Sequence, residues 1–141
     1  MEISDVRKRV LETIDYAKKT AAERRTRTDQ AAREYDVFLD RLAVPLFRQV
    51  ANVLRAHGYP FKVFTPSGSV RLMSDRAAED YIELTLDTAG IEARVMGHTS
   101  RSRGRRVMES ERPVAARTPA ELTEDEVLGF VLTELEPFVE R

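Results

Sequence analysis

The 141-residue chain contains no cysteine. Disulfides, thiolate nucleophiles and Cys-ligated zinc are therefore excluded. Histidine is scarce, with only His57 and His98, and neither an H-x-x-x-H helix pattern nor a D-x-D-x-D-G loop is present. No metal is expected. No apolar run approaches the roughly 20 residues that a membrane-spanning helix needs. The start MEISDVRKRV also lacks the apolar core of a signal peptide. A cytoplasmic protein without membrane contact is the expectation. With a net charge of −1, overall charge points to no polyionic partner.

Glycine and proline are both missing from the first 44 residues, an absence that favours helix. Ser4 suits an N-cap with Asp5 in the first turn. Ile3, Val6, Val10, Ile14, Ala17 and Ala21 recur at spacings of three and four. The seam fades at Arg24 and Thr28, then resumes through Ala31, Tyr35, Phe38, Leu42, Leu46, Val50 and Val53. It stops at His57-Gly58, where glycine suits the position after a helix end. Pro45 is expected to kink this segment, since it removes a backbone donor and clashes with the Arg41 carbonyl. A continuous helix would span roughly 80 Å at about 1.5 Å per residue. The alternative is a helical hairpin turning at Thr26–Asp29.

After Gly58 the apolar period changes to two. Phe61–Phe64 and Val70–Met73 read as strands joined by a turn at Pro66-Ser67-Gly68. Tyr81–Asp87 alternates cleanly, with Ile82, Leu84 and Leu86 on one side. Ile91–Val95 and Arg105–Glu111 read as further strands, and His98–Gly104 reads as a polar loop. Short links imply an antiparallel meander of four or five strands. Thr123 and Glu126 have capping-box spacing, opening a helix whose stripe is Val127, Val131, Leu135 and Phe138, widened by Leu128 and Leu132. Pro137 is expected to end or bend it near Glu136. The fold class is α+β, with a long N-terminal helix, an antiparallel sheet and a C-terminal helix packed on it. Residues 1–57 form the helical segment, an assembly element, and residues 58–141 form the sheet and final helix.

Catalytic motifs are absent. The chain has no G-x-G-x-x-G, Walker loop or G-x-S-x-G elbow, and no cofactor is expected. His98-Thr99-Ser100 matches half of a two-histidine phosphoesterase signature, but His57 is followed by Gly58-Tyr59 and supplies no second half. Glu83 and Asp87 lie about 13 Å apart along one strand face, too far to act on one atom. Glu79-Asp80 and the Glu109, Glu111 pair have no positioned partner. The expectation is that the protein is not an enzyme.

Charge is uneven along the chain. Met1–His57 carries 12 basic and 9 acidic residues, a net of +3; Thr118–Arg141 carries 1 and 7, a net of −6. Basic residues concentrate at 18–33 and again over 94–106, where Arg94, Arg101, Arg103, Arg105 and Arg106 stand without an acid. These five arginines are the candidate partner-binding residues. Two functions follow. In the first, the protein is an oligomeric interaction or scaffold protein, its long helix meeting another copy or a partner helix. In the second, the arginine-rich hairpin at 101–106 and the basic helix stretch at 18–33 bind nucleic acid.

Overall fold

The structure is a computed structural model and describes residues 1–140. It divides into two compact units, residues 1–30 and the remainder from Ala31 onward. Helix α1 (Ile3–Phe38) is followed directly by a π-helical turn at Leu39–Ala43 and by α2 (Val44–Ala56). Thr26–Asp29 is helical throughout, so the chain has the long helix and not the hairpin. One expectation about this segment needs correction. The helix starts at Ile3, and the Glu2 carbonyl accepts from the Asp5 and Val6 N–H groups at 3.1 Å each, so Ser4 lies inside the first turn and is not its cap. Pro45 occupies the first turn of α2, behind the widened turn in which the Val44 N–H donates to the Leu39 carbonyl. Proline has no N–H to return to the Arg41 carbonyl, and the π-helical turn falls on the residues its ring would crowd. The exit of α2 is as expected: His57 caps it and Gly58 has φ +86°, open to glycine at little cost.

In the second unit, β1 (Phe61–Phe64), β2 (Val70–Ser74), β3 (Tyr81–Asp87), β4 (Arg94–Arg103) and β5 (Arg106–Pro113) form one antiparallel sheet in the order β1-β2-β3-β4-β5. The register aligns Val63 with Leu72 and Ile82, and Val70 with Leu84 and Gly97. Alternation along each strand therefore gathers Phe61, Val70, Leu72, Ile82, Leu84 and Val95 on one face, all at most 4% exposed. Helices α2 and α3 (Glu124–Val139) pack on this face. Tyr35 and Phe38, in the last turn of α1, join the same core. The Tyr35 hydroxyl reaches the Gly68 carbonyl at 2.9 Å and the Leu84 carbonyl at 3.2 Å, tying helix to sheet through a polar atom.

Strand boundaries differ from the sequence reading for a common reason: strands exist where partners exist. Ile91–Ala93 is not strand, because β3 ends at Asp87, opposite Arg94, and Ile91 is 90% exposed. The Asp87 carboxylate instead accepts from the Ala89 N–H at 2.9 Å, turning the chain. His98–Arg103 is not a loop but the second half of β4, since Tyr81–Glu83 and Met108–Glu111 pair with it from either side. The last strand runs two residues further than expected, to Pro113, which an edge strand tolerates.

Helix α3 carries the full capping box: the Thr123 hydroxyl accepts from the Glu126 N–H, and the Glu126 carboxylate accepts from the Thr123 N–H at 3.0 Å. The Thr123 N–H first, then the Thr123 hydroxyl and Arg117, all donating to the carboxylate, hold the Glu126 carboxyl below its ordinary pKa. The buried stripe is Val127, Phe130, Val131, Leu135 and Phe138. Leu132, assigned to the stripe by spacing, is 53% exposed; Phe130 takes the buried place. Pro137 does not end the helix, which continues to Val139. Phe138 is buried edge-on against Phe61, centroids 5.9 Å apart, and that contact holds the last turn after the proline.

Candidate functional site

Two surfaces stand out, one in each unit. In the first, no residue of 1–30 is buried. Ile3, Val6, Val10 and Ile14 are 87%, 45%, 50% and 42% exposed. They begin a stripe that is interrupted by Arg24 and Thr28 and resumes at Ala31, Tyr35 and Phe38, which are all buried. The basic stretch from Lys18 to Arg27 is exposed at every charged position. Thr13 and Thr26 turn their hydroxyls back onto the carbonyls of Arg9 and Ala22, four residues earlier.

The second surface is the β4–β5 hairpin. Arg103 pairs with Arg106, leaving Gly104-Arg105 as a two-residue turn with Gly104 at φ +63°. A glycine at positive φ in the first central position matches the twist of flanking antiparallel strands. The β3 ladder ends at Tyr81–Ser100, so from Arg101 to Met108 the sheet narrows to a ribbon of two strands. Asp80 anchors the point where it narrows. Its carboxylate accepts from the Ser102 N–H at 2.7 Å and from the Ser102 hydroxyl at 2.9 Å, replacing the ladder partner β3 no longer provides.

Four of the five candidate arginines come together on this ribbon. Arg94 does not: it begins β4, nine residues from Arg103 or about 30 Å of strand, and pairs with Glu92 at 2.7 Å. Among the described residues, no carboxylate stands within 4.0 Å of the guanidinium of Arg101, Arg103, Arg105 or Arg106. Arg101 approaches only the Met108 sulfur, at 3.8 Å. It lines a 350 Å³ concavity with Arg103, Pro137 and Glu140, beside the end of α3. A neighbouring 190 Å³ cavity is lined by Arg101, Met108, Phe138 and Thr99, whose buried hydroxyl has no hydrogen-bond partner among the described residues.

The sheet face opposite the core is polar, and it carries cross-strand pairs. Arg71 donates to Glu83 at 2.8 Å and lies 4.0 Å from the Tyr81 ring centre; the Glu83 bond raises its pKa above the ordinary arginine value. His98 contacts Thr85 at 2.9 Å and stands 3.7 Å from Glu111. These pairs tie adjacent strands together, the Thr85 hydroxyl standing against one ring nitrogen of His98 and Glu111 near the other. Among the described residues, no group of three His, Asp or Glu side chains could hold a metal ion, and no helix is long and apolar enough to cross a membrane.

The sequence reading missed Asp80, Tyr35 and Phe130 as positioning residues. Asp80 had a usable signal: a carboxylate directly before the cleanest alternating strand. No family model, curated protein or solved structure matches this chain.

Proposed function

We propose that the protein is a non-enzymatic assembly protein whose contact surface is the N-terminal stripe of α1, meeting the equivalent stripe of a second copy or a partner's helix. The observation that supports this reading is the unequal burial of one stripe. Tyr35 and Phe38 are 3% and 5% exposed, whereas the same stripe at Ile3, Val6, Val10 and Ile14 is left in water. Spacings of three and four suit helix-to-helix packing. Fully burying an aliphatic side chain stabilises by about 1.5–3 kcal/mol. Covering Ile3 and three half-exposed ones on each of two helices contributes roughly 7–13 kcal/mol, of the same order as an association cost of about 4–15 kcal/mol. Reversible association is the expected behaviour.

The absence of cysteine makes a site-specific test clean. An environment-sensitive fluorophore is attached to Ile14→Cys, on the stripe, and separately to Glu12→Cys, off it. Emission from position 14 should shift to the blue as protein concentration rises, while position 12 stays constant. Equal or absent shifts at both positions would contradict the reading.

A further inference from the structure

We infer that the β4–β5 ribbon binds duplex DNA by its phosphate backbone, through Arg103, Arg105 and Arg106 at the tip with Arg101 behind them. The ribbon is two strands wide from Arg101 to Met108, and its turn is the tight Gly104-Arg105 pair. Four guanidinium groups stand within six residues, and none has a carboxylate within 4.0 Å among the described residues. Elsewhere in the second unit Arg55 is matched to Asp75, Arg71 to Glu83, Arg94 to Glu92, Arg112 to Glu134 and Arg117 to Glu126, while Arg41, Arg48 and Arg76 stand singly with no acid within 4.0 Å among the described residues. In this unit the ribbon is where such cations are gathered, four within six residues. Like charges held that close repel, and a polyanion relieves the repulsion by giving each one a phosphate, which guanidinium can grip with two hydrogen bonds.

Geometry narrows the polyanion. A major groove about 12 Å wide admits a two-stranded ribbon. The deep, narrow major groove of duplex RNA does not admit side chains. Single strands are held chiefly by aromatic stacking, and no aromatic residue lies between Arg94 and Arg112. The Asp80 anchor on Ser102 fixes the base of the ribbon, so its charges are presented from a positioned support. Acids facing the ribbon are few. Asp80 is spent on Ser102, Glu140 shares the concavity beside Arg101 and Arg103, and Glu109 of β5 is paired in register with Ser100 of β4. None of the three is within 4.0 Å of Arg105 or Arg106 at the turn. The chain's net charge of −1 does not oppose this, because charges more than a Debye length away, about 8–10 Å at physiological salt, are screened.

The test is fluorescence anisotropy of a labelled mixed-sequence 20-base-pair DNA duplex with the full chain, at salt from about 50 to 200 mM. Wild type should bind with an affinity that falls steeply with salt. Arg103→Ser, Arg105→Ser and Arg106→Ser combined should flatten the log–log slope by about 2.7, at about 0.9 for each phosphate that is no longer gripped. The control, Arg24→Ser, Arg25→Ser and Arg27→Ser combined, should keep the wild-type slope. Unlabelled duplex DNA should compete better than duplex RNA or single-stranded DNA of equal length. If the ribbon variant does not melt as wild type does, Arg105→Ser alone is measured, with an expected flattening of about 0.9. The inference is overturned by no binding at the lowest salt, by an unchanged slope in the ribbon variant, by equal loss in the control, or by equal competition from RNA or single strands.

Discussion

The ring of Phe130, on α3, occupies the place where a side chain at Gly97, on β4, would begin: a Cβ built at position 97 would overlap the ring at Cζ. On the same ring sits the Arg112 guanidinium, 4.4 Å from its centre and itself bonded to Glu134 at 2.8 Å. Gly97 is therefore the seat of α3 on the sheet, a position of close approach. Gly97→Ala should destabilise the fold by about 1–3 kcal/mol, the usual cost of overpacking a filled core. A shift of the urea midpoint measures it. Pairing the change with Phe130→Leu should recover part of the loss, and an alanine variant as stable as wild type would remove the close-packing account.

Tyr35 joins the last turn of α1 to the sheet through one hydroxyl. Tyr35→Phe keeps the packed ring and leaves the Gly68 and Leu84 carbonyls without that donor, at a cost of about 0.5–1.5 kcal/mol. Burial first, and then the negative charges of Glu83 and Asp36, raise the phenol pKa well above its ordinary 10.0. The unfolded chain therefore releases this proton before the folded one does. Stability from Tyr35 is complete below pH 10 and is lost as the pH climbs beyond it. Thermal melts between pH 9 and 11 should fall more steeply for wild type than for Tyr35→Phe, and parallel curves would show that Tyr35 does not titrate late.

Val131 lies fully buried on the α3 stripe. Val131→Asp places a carboxylate there without a partner, at a cost comparable to the 5–15 kcal/mol that holds a domain together. No cooperative thermal transition should remain for the second unit in calorimetry. A melt like that of wild type would mean that α3 is not packed by this stripe.

The elements legible in sequence were those set by local rules. The three-and-four spacing from Ile3 onward gave the long helix, Thr123 and Glu126 the start of α3, and Ile82, Leu84 and Leu86 the central strand. What stayed hidden depended on partners. His98–Arg103 has loop-like composition, yet β3 and β5 make it strand from both sides. Phe130 and Leu132 are equally apolar, and only the gap over Gly97 decides which is buried. Of the candidate site, the arginine cluster was visible as charge, but the exclusion of Arg94 needed the register that puts it at the far end of β4. The Asp80 anchor joins residues 22 positions apart, a pairing no local pattern encodes.

The claim that α1 is an assembly surface is tested most directly by sedimentation equilibrium of the full chain across a micromolar concentration series, wild type beside Val10→Asp. Val10 is half exposed and makes no core contact, so the charge should leave the fold and its melting unchanged. Wild type should show an apparent mass that rises with concentration toward a multiple of the single chain, and Val10→Asp should stay at the mass of one chain throughout. A wild-type chain that remains monomeric across the series, or a Val10→Asp chain that associates as well as wild type, would contradict the account.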